Sequence, residues 1–183
     1  VSCMGFPAQL PEPAVPELTL KPDTMRREDE LRAGLGTRVC VLHPGSGSRK
    51  KNWPVRRFVE LADRIAVGKE TVPVFTIGEA DGDIQRQLAT SGMPYPVVAQ
   101  RSLLEIASLL ASARGYVGND SGISHLAAAL GVPTVALFGP TDPAVWAPRG
   151  RRVRVMRSYP PTTAGLGNLA VDEVYRALQD VMR

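Results

Sequence analysis

The sequence predicts a doubly wound α/β fold, a mostly parallel, Rossmann-like sheet of six strands. Three observations predict it. From residue 39 onward, apolar runs of strand length alternate with segments of helical period about ten residues long, and parallel strands need crossovers of that size. Most of these runs give way to a loop marked by Gly, Pro, Ser or Asp, the residues that punctuate regular structure. The composition, 44% hydrophobic and 22% charged over 183 residues, suits one globular domain with a full-sized core.

Residues 1–37 are expected to be a proline-rich linker, or the trailing interdomain segment of something upstream. Pro7, Pro11, Pro13 and Pro16 interrupt any period and any signal-peptide apolar region, and the first residue is Val1 rather than methionine. Within this stretch Glu17–Leu20 reads as a short strand, and residues 24–33 as a short polar helix closed by Gly34 and Gly36. Residues 38–183 are expected to form the Rossmann-like domain.

Val39–Leu42 is an apolar run of the buried-strand type. After the loop His43–Trp53, Pro54 suits the first position of a helix, where its missing N–H costs nothing. Val55, Phe58, Val59, Ala62, Ile65 and Ala66 recur at helical spacing. Strands follow at Val72–Ile77 and Pro96–Ala99, with a polar helix over Gly82–Thr90 between them. Ser102 and Glu105 form a capping box that opens a helix to about Ala113. Gly115–Val117 is the fourth strand, Gly122–Leu130 a helix, and Thr134–Phe138 the fifth strand. A loop rich in proline and arginine leads to a sixth strand at Val153–Met156. Residues 157–168 are irregular, and Val171–Met182 is a last amphipathic helix.

Composition also excludes several classes. No apolar run approaches the roughly 18 residues of a membrane span. Two cysteines, Cys3 and Cys40, make neither a disulfide framework nor a zinc pattern, which points to a reducing compartment. The net charge is +4, concentrated in Arg49-Lys50-Lys51 with Arg56-Arg57 and in Arg149, Arg151, Arg152 and Arg154. Such clusters suit an anionic partner and serve equally as a solvated basic face. With only 5% aromatic residues, nucleic acid is not the expected partner.

In open α/β sheets ligands bind beyond the carboxyl ends of the strands, so the residues following each strand are the candidates. After the first come Gly45, Ser46, Gly47, Ser48 and the basic run ending in Lys51. Small residues let backbone N–H groups approach an anion, which lysine then neutralises, although the stretch also reads as a flexible surface loop. It is neither a Walker loop nor a dinucleotide fingerprint, because the defining Gly-Lys-Ser/Thr and third glycine are missing. After the second strand comes Glu79, an acid suited to ribose hydroxyls or to a helix start. After the fourth come Asn119, Asp120, Ser121, Gly122 and His125. There Asp120 or Ser121 can cap the helix, and free N–H groups of its first turn suit a diphosphate. After the fifth, Gly139-Pro140-Thr141-Asp142 forms a tight turn. Four strand ends thus carry groups suited to a nucleotide diphosphate.

The run from His43-Pro-Gly-Ser through Lys51-Asn-Trp53-Pro54, together with Asn119-Asp-Ser-Gly-Ile-Ser-His125 and Phe138-Gly-Pro-Thr141, resembles the ADP-heptose:lipopolysaccharide heptosyltransferases. These are two-domain GT-B glycosyltransferases, and the resemblance is to their carboxyl-terminal, donor-binding half. It implies that Ser46 and Gly47 lie beside the sugar or phosphates and that Lys51 stabilises the leaving diphosphate. It implies that Glu79 contacts the nucleoside or donor sugar, and that Ser121 and Gly122 offer backbone donors to the phosphates. Asp120, His125 and Thr141 would line the donor site. Arg101 would lie beside the adenine, where the family more usually has an apolar residue.

The resemblance further implies an inverting, metal-independent transfer that uses no cofactor. The partners would be an ADP-sugar donor, an amino-terminal acceptor domain that supplies the base, and lipopolysaccharide core acceptor through that domain. The location would be cytoplasmic, peripheral at the inner face of the inner membrane. The alternatives are a non-catalytic nucleotide-binding module and an NAD-type Rossmann domain.

Overall fold

The computed structural model describes residues 15–21, 38–68, 70–158 and 166–183. Its centre is one six-stranded sheet in the order β3-β2-β1-β4-β5-β6, with every neighbouring pair parallel. The strands are β1 Val39–His43, β2 Val72–Ile77, β3 Val97–Ala99, β4 Gly115–Asn119, β5 Thr134–Phe138 and β6 Val153–Arg157. The helices are α1 Val55–Val67, α2 Gly82–Thr90, α3 Leu103–Ala111, α4 Gly122–Ala129, α5 Pro143–Trp146 and α6 Val171–Met182. Single 3-10 turns at Arg49–Lys51 and Glu79–Asp81 interrupt the loops after β1 and β2.

The sheet separates two apolar layers, and the period of two along β1 shows how. Cys40 and Leu42 face a cluster with Phe58, Leu61, Ile84, Leu88, Val174 and Leu178, contributed by α1, α2 and α6. Val39 and Val41 face the opposite cluster with Ile106, Leu109, Leu110 and Ala127, contributed by α3 and α4. By the same alternation, His43 falls on the α3–α4 face. Helices α1, α2, α3, α4 and α6 each carry an apolar side to one layer, so the inner strands β1 and β5 are buried along their whole length and read as unbroken apolar runs.

Several expectations are corrected. Pro54 is the N-cap of α1 (φ −55°, ψ 131°), not its first helical residue, and the helix starts at Val55. On α1, Leu61 is fully buried, while Val59 packs at the margin of the core. Helix α3 stops at Ala111, two residues early, and α4 at Ala129. Strand β4 runs on to Asn119, because Asn119 still pairs with Leu137 in β5. The proline- and arginine-rich loop holds the short helix α5, capped by Asp142 through the Ala144 N–H at 3.2 Å. Glu17–Leu20 is not a strand; a hydrogen bond from the Leu18 N–H to Ala129 O (2.7 Å) ties it to α4, and Glu17 pairs with Arg151 at 2.9 Å. The expected helix over 24–33, and Cys3, lie outside the described residues.

The order matters most between β1 and β4. These neighbours send their crossovers to opposite faces of the sheet, so the loops leaving them diverge and a crevice opens above their carboxyl ends. The basic loop after β1 and the Asp120–His125 segment after β4 flank that crevice.

Candidate functional site

Asn119, at the end of β4, holds the loop after β1 at both ends. Its side-chain amide donates to Pro44 O (2.8 Å), and its Oδ1 accepts from the Trp53 N–H (3.0 Å). The side chain is wholly buried, so both of these otherwise stranded backbone groups depend on it. Trp53 is anchored further by its indole N–H to Leu169 O (3.1 Å) and by an edge-on contact with Phe58. Within the loop, the Ser46 hydroxyl lies 2.6 Å from Asn52 Oδ1 and 2.8 Å from Ser48 O, and its oxygen accepts from the Ser48 N–H. Ser46 therefore shapes the loop. Gly45 packs so tightly that a Cβ there would lie 2.0 Å from Asp81 Oδ2.

This anchoring directs the 3-10 turn Arg49–Lys51 toward β4. The Lys51 ammonium sits 2.8 Å from Asp120 Oδ2, and the same oxygen accepts the Thr141 hydroxyl at 2.8 Å. Residues from the ends of β1, β4 and β5 thus meet on one carboxylate. Asp120 is 8% exposed and Lys51 29%, so the lysine keeps an open side. Asp120 does not cap α4, contrary to one of the expectations, because its carboxylate is committed to Lys51 and Thr141. Ser121 occupies the N-cap position but makes no side-chain cap bond. Its carbonyl takes the Ser124 N–H (3.1 Å), while the Gly122 and Ile123 N–H groups have no carbonyl one turn back. A Cβ on Gly122 or on Gly47 would meet nothing within 4 Å, so both glycines face open space.

Behind α4 the backbone is held by packed polar groups. Tyr116 Oη lies 3.0 Å from Ser124 Oγ, and that hydroxyl donates to Asn119 O at 2.6 Å. Burial raises the Tyr116 phenol above its ordinary range. Gly118 has to be glycine, since a Cβ would lie 2.1 Å from that phenol oxygen. His125 is exposed on α4, on the side away from buried Ser124, Ala127 and Ala128.

On the α3–α4 face a cavity of ≈ 200 Å³ is lined by His43, Thr76, Ile77, Gly78, Arg101, Leu103, Ile106 and Ile123. Arg101 is exposed and pairs with Glu105 at 3.1 Å. Glu79 follows Gly78 and is also exposed. The His43 ring is 6% exposed, with Nδ1 3.0 Å from Thr76 O and 3.1 Å from Thr76 Oγ1. Burial lowers its pKa, opposed by the nearby Asp81 charge and the hydrogen bond to Thr76. The neutral imidazole is the resulting form.

The expected residues thus form two groups joined by the segment 120–123. Lys51, Asp120 and Thr141 are in direct contact beside the open start of α4. Arg101 lines the cavity and Glu79 follows one of its lining residues; Ile123 reaches the cavity from α4. A larger groove of ≈ 460 Å³ runs between Arg49–Val55 and Asp83–Thr90 and contains none of them. Its rim carries ion pairs of Asp83 with Arg49 and Arg86.

The profile of glycosyltransferase family 9 (heptosyltransferase) matches residues 4–168. The chain belongs to that family. It is 36% identical over 125 residues to lipopolysaccharide heptosyltransferase 1 of Pseudomonas aeruginosa, an alignment that covers 68% of this chain and 35% of the relative. It is 29% identical over 156 residues to lipooligosaccharide heptosyltransferase 2 of Haemophilus influenzae, covering 78% and 44%. Among solved structures it superposes on the ADP-heptose lps heptosyltransferase II of E. coli with a TM-score of 0.76 and 25% identity, over 94% of this chain and 55% of that one. It also superposes on the E. coli heptosyltransferase WaaC with ADP, with a TM-score of 0.68 and 27% identity, over 80% and 45%. The match therefore spans less than half the length of these two curated heptosyltransferases, and about half of the two solved ones.

Within this heptosyltransferase domain, two residues have roles that the strand ends alone do not show. Asn119 was visible only as part of a motif, and its polar side chain closing an apolar strand was the available signal. His43 likewise closes β1, and the alternation along that strand already assigned its face.

Proposed function

We propose that this chain is the donor-binding half of a heptosyltransferase of lipopolysaccharide core biosynthesis, holding an ADP-heptose-type donor. One observation carries the proposal: Lys51, pinned by Asp120 yet open on one side, stands beside unpartnered N–H groups at the start of α4. A diphosphate placed there meets a cation and a helix amino terminus together. The ADP bound in the solved WaaC relative supports the choice of nucleotide.

In the reaction, a hydroxyl of the acceptor attacks the anomeric carbon while the bond from that carbon to the diphosphate breaks. The electron pair of that bond leaves on the diphosphate oxygen, and the hydroxyl proton passes to a base. Lys51 and the α4 N–H groups stabilise the growing negative charge in a fixed, partly dry setting. With the diphosphate neutralised by side chain and backbone, the transfer is metal-independent, and a single displacement inverts the anomeric centre. Ser46 and Gly47 bring the loop to the sugar and phosphates, Glu79 meets the nucleoside or donor sugar, Arg101 the base, and His125 lines the donor site with Ser121, Gly122 and Thr141. The base and the lipopolysaccharide core acceptor belong to an amino-terminal domain within the length that the relatives possess beyond this match. The same reading makes the enzyme cytoplasmic, peripheral at the inner face of the inner membrane, where a water-soluble donor meets a lipid-borne acceptor.

Thermal protection by ADP, UDP and GDP tests the proposal. A ligand at a hundredfold its Kd adds about 2.7 kcal/mol, which for a chain of this size raises Tm by about 5–10 °C. ADP is expected to give that shift, with UDP and GDP giving less. A flat response to all three defeats the reading. Transfer of heptose by the purified 183-residue chain defeats its assignment of the base to another domain.

A further inference from the structure

The cavity on the α3–α4 face is lined by a ring nitrogen, His43 Nε2, to which no described residue hydrogen-bonds. His43 is 6% exposed and lines this cavity. Its Nδ1 lies 3.0 Å from Thr76 O, which can only accept, and we assign the proton to Nδ1 from that contact. In the neutral ring the other nitrogen, Nε2, is then an acceptor. Among the described residues nothing hydrogen-bonds Nε2, and it is not one of the unpartnered side-chain atoms sealed from solvent. Nδ1 is turned into β2, so Nε2 is the polar atom the ring leaves to the cavity. Open to water in the free protein, this acceptor loses its donor when a ligand fills the cavity, so a ligand that supplies a donor is favoured over one that does not.

The walls narrow the ligand's chemistry. Ile77, Leu103, Ile106 and Ile123 are apolar, and the Arg101 guanidinium lies at the exposed side. The volume is below the roughly 300–1,000 Å³ of a drug-sized pocket and suits one flat ring system. Apolar walls with a guanidinium alongside favour an aromatic ring, on which arginine stacks, over a sugar with hydroxyls on every side. The Thr76 hydroxyl is already engaged with His43.

Taking the donor-binding reading above as its basis, we infer that His43 selects the donor's nucleobase, its Nε2 accepting a hydrogen bond from an amino-bearing edge. A base with a carbonyl at that edge brings two acceptors face to face and is rejected. Asymmetry of this kind is strong where a buried polar group is left unpaired. His43 is thus a specificity-determining residue at the floor of the base cavity, separate from the phosphate contacts of Lys51.

Calorimetry on the 183-residue chain with three diphosphates tests this: ADP, inosine diphosphate (a carbonyl in place of the amino group) and purine riboside diphosphate (neither group). ADP is expected to bind about tenfold more tightly than purine riboside diphosphate, the equivalent of about 1.4 kcal/mol, and inosine diphosphate more weakly still. His43→Phe is expected to remove this ranking while all three ligands still bind, and His43→Gln, which offers an amide oxygen, to restore preference for ADP. Equal affinities in the unsubstituted chain overturn the inference without any variant having to fold. So does a ranking that survives in His43→Phe. If none of the three diphosphates binds, the donor-binding reading falls first. If all three bind alike, that reading stands and only the role of His43 is lost.

Discussion

Lys51→Ala separates the two things this lysine does. In the structure one ammonium hydrogen is directed to Asp120 Oδ2 at 2.8 Å, and the lysine's open side leaves others for phosphate. A hydrogen bond to a charged group contributes about 1.5–3 kcal/mol, or about ten- to hundredfold in affinity. ADP binding should fall by that factor, while adenosine, which has no phosphate to meet the lysine, should change less than about twofold. The substitution also strands Asp120, 8% exposed, with only the Thr141 hydroxyl. Breaking a fully buried pair costs about 3–5 kcal/mol. Lys51 is 29% exposed, and water screens such a pair, so about 1–2 kcal/mol is expected here. For a chain of this size that lowers Tm by about 2–8 °C. Adding Asp120→Asn removes the uncompensated charge and should recover part of the lost Tm without recovering ADP affinity. Calorimetric titration of both ligands below the melting range is the assay. Equal losses for ADP and adenosine would refute the placement of Lys51 on the phosphates.

Two further outcomes are expected. Asn119→Ala strands the Trp53 N–H and Pro44 O, each orphan costing about 1–3 kcal/mol, and together they should lower Tm by about 4–24 °C; a melt within about 1 °C of the parent contradicts the anchoring role. His43 has a folded pKa below its unfolded value of about 6.5, so below that pH the unfolded chain binds the proton more readily. Its contribution to stability is full above pH about 6.5 and declines as pH falls toward the folded value, by at most about 1.4 kcal/mol per pH unit. Chemical denaturation from pH 7.5 to 5 should show this slope and its reduction in His43→Gln; an identical slope in the variant assigns it to other groups.

Much of the fold was legible because its signals are local. Gly82–Thr90, Thr134–Phe138 and Val171–Met182 follow directly from period and punctuation, and the Ser102–Glu105 capping box forms as expected. The errors fall where local preference yields to tertiary contact. Asn119 looks like a loop residue and is held in β4 by its pairing with β5. Asp120 has good capping chemistry and is taken by Lys51, a residue far away in sequence. Glu17–Leu20 has the residues of a strand, but its Leu18 N–H bonds to a helix carbonyl.

By itself, the sequence determined that strands alternate with crossover helices, which makes the sheet parallel, and it marked the strand ends that carry polar and small residues. The strand order it did not determine, since period and turn chemistry say nothing about which strands are neighbours. Only the tertiary structure set β1 beside β4. That adjacency brings Lys51 onto Asp120, lets Asn119 hold the loop after β1, and opens the crevice above both strands. It likewise turned His43 from the end of an apolar run into a buried acceptor, because the direction of a side chain follows from alternation but the cavity it meets is built by β2, α3 and α4.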